Sequence, residues 1–214
     1  IMSQTSRILK TFLNLTSNNL LEHLKITIIE TLLGFSIGVI LGFIIAIILW
    51  WSPFISKVSE PFLVVLNSLP KIALGPVIII WVGAGMPAII TVGVSISLIV
   101  TVLELLNGFI ATDKEKIKMA QTFNANKLNN NLDTYTSNIP TFFNTLKVNL
   151  VLTLVGVISG EFLVSKGGLG YLIVYGGQVF QLDLVMTSVI ILAFLAALMY
   201  ESIVIIEKLV IKYN

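Results

Sequence analysis

The sequence contains no cysteine and a single histidine, His23, among its 214 residues. The absence of cysteine excludes disulfides, thiolate zinc sites and a cysteine nucleophile. With one histidine, neither a histidine-based metal centre nor a Ser-His-Asp triad is expected. Charge is also scarce, because only 11% of residues are charged, and 13 basic against 11 acidic residues leave a net charge of +2. That balance is too even for a nucleic-acid-binding surface.

Apolar sequence is what the chain has in abundance. Hydrophobic residues make up 56% of it, and the mean hydropathy is +0.99. A soluble domain carries about 25% charged residues, and a water-soluble globule of this size could not bury so much apolar surface. Disorder is excluded as well, since disordered chains combine low hydrophobicity with high charge. The composition therefore predicts a single-domain integral membrane protein.

Charge-free runs predict where the chain crosses the membrane, because a spanning helix needs about 20 mainly apolar residues. The charge-free runs are residues 31–56, 72–103, 148–160 and 184–200. The second run is too long for one helix, and the sequence Val82-Gly83-Ala84-Gly85-Met86-Pro87 predicts a turn that divides it. We therefore expect an all-α protein with five transmembrane helices, at residues 27–50, 68–83, 87–108, 146–165 and 184–206. Barrel strands would alternate in polarity, and residues 34–42 do not.

The first predicted span carries a stripe of small residues. Gly34, Gly38 and Gly42 follow one another at intervals of four and so lie on one face of the helix. Such a stripe lets another helix approach closely. Packing inside the bundle is favoured, and a contact between subunits is the alternative.

The distribution of lysine and arginine predicts the orientation. A cytoplasmic C-terminus places loop 51–60, loop 109–145 and tail 207–214 inside. With Lys147 at the membrane edge counted on the same side, the basic-residue bias is eight to four in favour of the inner side. Five spans then put the N-terminus outside, and we expect a further spanning helix upstream. Residues 1–24 are predicted to form an amphipathic segment on the outer face, residues 25–208 the transmembrane domain with its cytoplasmic loop, and residues 209–214 a cytoplasmic tail.

The longest polar stretch, residues 111–145, separates the third and fourth spans. Thr112 or Asp113 can cap a short helix, and the asparagine-rich tract from Asn124 to Asn131 would end it. A polar insertion of this length is either a solvated loop or a docking site, and the residues alone leave both readings open.

Two further features suggest a pathway through the membrane. Residues 61–76 contain three prolines, which are expected to interrupt helical hydrogen bonding. Asn67, Ser68 and Pro70 lie there and could line a cavity. The alternative, which is slightly favoured, is two short helices joined by a turn at the membrane surface. The carboxylates Glu30, Glu104, Glu161 and Glu201 lie within or near the apolar helices. Each is close to a span end and could reach the interface, so a structural role is favoured, although Glu104 and Glu161 are retained as pathway candidates.

The chain resembles the permease subunit of type I ABC importers, in the branch that handles nitrate, sulfonates and taurine. The resemblance covers roughly residues 20–208. It depends on Glu60-Pro61, Leu69-Pro70, Ala73-Leu74, Pro76 and Trp81-Val82-Gly83-Ala84-Gly85, and on Gly160-Glu161-Phe162-Leu163 followed by Gly168-Leu169-Gly170-Tyr171-Leu172-Ile173.

The resemblance places the family's cytoplasmic coupling helix within the long polar loop. Its usual signature, Glu-Ala-Ala-x-x-x-Gly-Ala, falls on residues 118–125, where Lys118 replaces the glutamate and Asn124 the glycine. Only Ala120 and Ala125 match. The coupling residues that the resemblance implies are Glu115, Ile117, Lys118, Met119, Ala120, Gln121, Phe123, Asn124 and Ala125.

The resemblance implies that two permease subunits, identical or paralogous, form a pathway in the cell membrane of a bacterium. Cytoplasmic ABC ATPase subunits would bind ATP and Mg²⁺, and an external solute-binding protein would deliver the solute. This chain would bind no cofactor and perform no catalysis: Gly167-Gly168-Leu169-Gly170 lacks the Gly-Lys-Ser/Thr end of a phosphate loop. The alternatives are a secondary transporter or channel that acts without an ATPase, and a transport-inactive paralogue that acts as a scaffold.

Overall fold

The computed structural model describes residues 11–13, 19–111 and 139–212. Every element within those ranges is helical, as the sequence predicts. The α-helices are α1 Leu20–Trp51, α2 Pro53–Ser68, α3 Gly75–Val82, α4 Met86–Ala111, α5 Ile139–Val164, α6 Leu169–Gln178 and α7 Leu182–Lys212, and a 3₁₀ turn at Lys71–Leu74 joins α2 to α3. The predicted coupling residues 115–126 and most of the predicted outer-face segment lie outside the described residues.

Four of these helices, α1, α4, α5 and α7, are long and apolar enough to cross a membrane. They coincide with four of the five predicted spans. A fifth crossing is reached only if α2 and residues 71–82 count together as one broken span, bent by 80° at their junction. The turn predicted at Val82–Pro87 is confirmed, because Gly83 and Gly85 have φ of 91° and 118° and α4 begins at Met86.

The predicted second span and the loop before it are wrong in detail. Residues 51–60 were expected to be a cytoplasmic loop, and α2 occupies most of them instead. The local reason is at Ser52, whose Oγ accepts the Ile55 N–H at 3.4 Å while Pro53 occupies the first turn. A serine cap followed by proline favours the start of a new helix directly after α1 ends.

The prolines of residues 61–76 differ in their effect. Pro61 lies inside α2 and does not end it, contrary to the expectation that all three would interrupt helices. A membrane helix tolerates proline where neighbouring groups make up for the lost hydrogen bond. Pro70 does lie at the break, and Pro76 lies in the first turn of α3, where its missing N–H costs nothing.

The centre of the bundle is α4, which packs between α1 and α5. The glycine stripe of α1 makes its close approach there: Gly38 faces Ser97 and Gly42 faces Thr101. A Cβ added at Gly42 would lie 2.6 Å from the Thr101 Cβ. The stripe is therefore an internal packing surface, which is the favoured reading of the sequence.

Polar side chains join α4 to α5 near Thr101, the residue that Gly42 faces. Asn149 Nδ2 donates to Thr101 Oγ1, and the Thr153 hydroxyl donates to the Asn149 carbonyl at 2.7 Å. All three residues are fully buried. Hydrogen bonds of this kind, together with small residues, hold membrane helices together because lipid offers no hydrophobic drive for their association.

Large apolar side chains cover the outside of the bundle. Leu21 on α1 is 77% exposed and Phe194 on α7 is 66% exposed, while Ile80 and Trp81 on α3 are exposed by 79% and 83%. Such a surface is stable against lipid or against another apolar protein surface and not against water.

Candidate functional site

The break between α2 and the 3₁₀ turn contains three of the predicted pathway residues. Asn67 and Ser68 form the last positions of α2. Leu69 follows in extended conformation, and Pro70 precedes the 3₁₀ turn. The Ser68 hydroxyl donates to the Val64 carbonyl at 2.9 Å. Side chains of all three residues are exposed on the single chain, so the structure brings these three together on an open face.

Lys71, which the sequence reasoning did not single out, completes this group. Its Nζ donates to the Asn67 carbonyl at 3.2 Å and to Asn67 Oδ1 at 3.0 Å. It is the only charged residue between Glu60 and Glu104. Lys71 could have been recognised from the sequence, because a lone lysine within apolar membrane sequence is by itself a candidate functional residue.

The two predicted carboxylates of the pathway lie elsewhere. Glu104 is half-buried on α4. Glu161 is 1% exposed near the end of α5, and its hydrogen bonds go to α1 and α6 and not to the break at residues 67–70. Glu30 is buried as well, at 3% exposure. Helix packing encloses Glu30 and Glu161, whereas Glu201 is exposed.

Glu161 lies at the junction of three helices. Its Oε1 accepts the Thr27 hydroxyl of α1 at 2.7 Å, and its Oε2 accepts the Gly170 N–H of α6 at 2.5 Å. Thr27 Oγ1 accepts in turn the Leu169 N–H at 2.9 Å. One turn earlier on α1, His23 Nδ1 accepts the Gly168 N–H at 3.1 Å. Side chains from α1 and α5 therefore bind three successive N–H groups at the start of α6.

We call this arrangement the α6 cap: the side chains of His23, Thr27 and Glu161 with the N–H groups of residues 168–170. The first N–H groups of a helix have no partner within it, and their positive partial charge favours an anion nearby. Gly168 has a φ of 103°, and a Cβ there would overlap the Glu161 carboxylate. The glycines of the motif at residues 167–170 thus admit a carboxylate, and not a phosphate.

Glu30 is a buried neighbour of Glu161. Its Oε2 and the hydroxyl of the adjacent Thr31 are buried without a hydrogen-bond partner. The hydrogen-bond donors to the Glu161 carboxylate are the Thr27 hydroxyl and the Gly170 N–H.

In the N-terminal half of α5, Lys147 forms an ion pair with α7. The Lys147 Nζ is 3.0 Å from Glu207 Oε2 and 3.3 Å from Glu207 Oε1, which ties α5 to α7. Ala111 ends α4 and Ile139 begins α5, so the helices that flank residues 112–138 are part of the packed bundle.

Comparison with known proteins gives the family. Residues 38–212 match the model of the binding-protein-dependent transport system inner membrane component. A probable ABC transporter permease protein of Haemophilus influenzae is 30% identical over 183 residues, which cover 85% of this chain and 75% of that protein. The putative aliphatic sulfonates transport permease protein SsuC of Escherichia coli is 28% identical, over 92% of this chain and 76% of its own.

A solved structure agrees with the fold. The MetNI methionine ABC transporter in an inward-facing conformation superposes with a TM-score of 0.77, covering 89% of this chain and 95% of that chain at 16% sequence identity. The matched family model, the related permeases and the all-helical bundle agree. The chain belongs to the binding-protein-dependent transport system inner membrane components, and is a non-catalytic permease subunit of an ABC import system.

Proposed function

We propose that this chain forms one half of the translocation pathway for a small solute, and that the pathway passes the break between α2 and α3. The observation that carries the proposal is the 80° bend at this break, with Asn67 and Ser68 exposed beside it and the half-buried Lys71 bound to Asn67. Irregular backbone at membrane depth is stable only against protein or a water-filled cavity. A polar group within an apolar span marks such a cavity as a route for solute.

A second permease subunit, identical or paralogous, faces this surface. The apolar side chains of α2 and α3 are uncovered in the single chain, and include Phe54, Phe62 and Trp81. Together with the polar break they form a surface that is apolar at its margins and polar at its centre. Two such surfaces facing each other enclose a polar route between apolar walls.

Coupling to ATP hydrolysis takes place through residues 115–126, which lie between the packed ends of α4 and α5. Cytoplasmic ABC ATPase subunits bind ATP and Mg²⁺ and contact this segment, and an external solute-binding protein delivers the solute to the other side. The Lys147–Glu207 ion pair supports this proposal, because it ties α5 to α7. A push on the loop would then move both helices as a rigid body.

Cysteine crosslinking tests the coupling directly, since the chain has no cysteine of its own. The complex with its ATPase is purified with Met119→Cys, and with Lys166→Cys as the matched control on the predicted outer side. A bifunctional crosslinker is expected to join the ATPase to the first variant only. ATP-dependent solute uptake should be lost when residues 115–126 are replaced by a Gly/Ser linker.

Three results would contradict the proposal. One is equal crosslinking from both positions. The second is uptake that persists with the linker in place. The third is solute flux in liposomes that hold only this chain, which would favour a secondary transporter or a channel.

A further inference from the structure

We infer that Glu161 is a positioning residue: through the α6 cap it fixes helix α6 to the end of α1, and thereby sets the surface that this end of the bundle presents to the solute-binding protein. The inference rests on the proposed function for the identity of that partner. Its structural half rests only on contacts within the chain.

The first step is that Glu161 connects parts of the chain that are distant in sequence. Thr27 and Glu161 are separated by 134 residues, and their hydrogen bond is buried. Leu169 and Thr27 are separated by 142 residues. The Thr27 hydroxyl of α1 donates to Glu161 of α5 and accepts from Leu169 of α6. The position of the Glu161 carboxylate therefore fixes both α1 and α6.

The second step is that the cap determines the direction of α6. This helix has ten residues and returns to α7 through Phe180, which has a φ of 57°. Its N-terminal end is the one held by side chains from two other helices. Loss of the cap would leave buried N–H groups and a buried carboxylate without partners, which the helix can relieve only by moving toward solvent.

The third step is that α6 carries an aromatic row away from the cap. Tyr171 stacks on His23 with 6.0 Å between ring centroids, and Tyr175 stacks on Tyr171 at 5.8 Å. Tyr175 is 42% exposed. The charge bias of the sequence assigns this end to the outside. Aromatic side chains held rigid are suited to bind a protein surface, because little rotamer entropy is lost.

The chain offers matched variants that separate hydrogen bonding from packing. Thr27→Val keeps the shape and removes the hydroxyl, whereas Thr27→Ser keeps the hydroxyl. Glu161→Gln removes one of two acceptors. Glu30→Gln keeps the size of a buried side chain that is not part of the α6 cap, and so serves as the control.

The experiment uses the full chain in lipid nanodiscs, with spin labels on Leu21→Cys of α1 and Gly177→Cys of α6. Leu21 is 77% exposed, and a Cβ at Gly177 meets nothing within 4 Å. We expect a narrow distribution of the distance between the two labels in the protein without further substitution, and also in the Thr27→Ser and Glu30→Gln variants. The distribution should broaden with Thr27→Val and Glu161→Gln.

The same variants are then compared in the complex, by titrating ATPase activity with solute-loaded binding protein. Thr27→Val and Glu161→Gln should raise the half-maximal concentration roughly 5- to 10-fold, as the loss of a buried hydrogen bond allows, with the maximal rate unchanged. Thr27→Ser should restore the normal value.

Two outcomes overturn the inference. Narrow distributions in every variant would show that α6 does not depend on the cap. A broad distribution with an unchanged half-maximal concentration would show that the cap is structural only. If the unsubstituted complex shows no stimulation by binding protein, the proposed function fails, and the label distances still decide whether Glu161 positions α6.

Discussion

The Lys147 ammonium of α5 lies 3.0 Å from the Glu207 carboxylate of α7, and both side chains are mostly buried. A mostly buried ion pair is weakened little by solvent, and removal of one partner leaves the other charge without compensation. This pair is therefore a polar tie that holds α5 to α7.

Removal of either charge should destabilise this contact between the helices. We expect Glu207→Gln or Lys147→Met to reduce the free energy of unfolding by about 1.5–3 kcal/mol. The charge-reversed double variant Lys147→Glu with Glu207→Lys should recover most of the loss. The measurement is thermal unfolding of the purified protein in detergent, with exposed Lys208→Met as the control. An effect at Lys208 as large as at Lys147 would contradict a specific pair.

Substitution in the glycine stripe should separate α1 from α4. Gly42→Ala places a methyl group 2.6 Å from Thr101 Cβ, and Gly177→Ala adds the same group where nothing lies within 4 Å. Overpacking costs about 1–3 kcal/mol, so the first variant should unfold at a clearly lower temperature than the second. Indistinguishable stabilities would mean that the helices can move apart without cost.

The hydrogen bond between Asn149 and Thr101 should contribute only modestly. Interhelical hydrogen bonds in membranes average about 0.6 kcal/mol in double-mutant cycles. The cycle formed by Asn149→Leu and Thr101→Val is expected to give a coupling energy of this size, with the two residues buried at 0% exposure. Asn149 Oδ1 has no partner, which limits what the amide can add. A coupling energy near zero would contradict a direct bond.

Two glycines with similar backbone conformation separate strain from steric overlap. Gly83 has a φ of 91° and open space around it, whereas Gly168 has a φ of 103° and faces the Glu161 carboxylate. Gly83→Ala should cost about 1–3 kcal/mol, because its positive φ with extended ψ is a backbone conformation that is essentially restricted to glycine. Gly168→Ala should cost more and should also displace α6 in the spin-label experiment. Equal costs would show that Glu161 yields freely to a methyl group.

Much of this site was recognisable in the sequence, although its meaning was not. The motif from Gly160 to Ile173 was recognised as a family feature, and Glu161 was retained as a pathway candidate although a structural role was favoured. The structure shows its carboxylate in the α6 cap, and its place in the pathway stays a prediction. Nothing in the local pattern connects Glu161 to His23 and Thr27, because these residues meet only through the packing of α1 against α5 and α6.

For the broken span formed by α2 and residues 71–82, the sequence predicted the break but not the helix before it. The prolines and the polar residues at 67–70 indicated irregular backbone, and the structure has it there. The helix at Pro53–Ser68 was missed, because Lys57 and Glu60 made residues 51–60 resemble a polar loop. Two charged residues in an otherwise apolar stretch are therefore a poor guide to where a helix begins.

The sequence by itself determined that this protein lies in a membrane and that it is helical. The length of an apolar run and the scarcity of charge in it are properties of residues that are adjacent in sequence. They therefore specify the membrane-spanning helices and their turns before any packing occurs. Only the tertiary structure decided which face of each helix meets which neighbour: that Gly42 faces Thr101, and that Thr27 and Glu161 share a hydrogen bond. Those contacts depend on the rotation and crossing of helices, which are set by side-chain fit among all of them together.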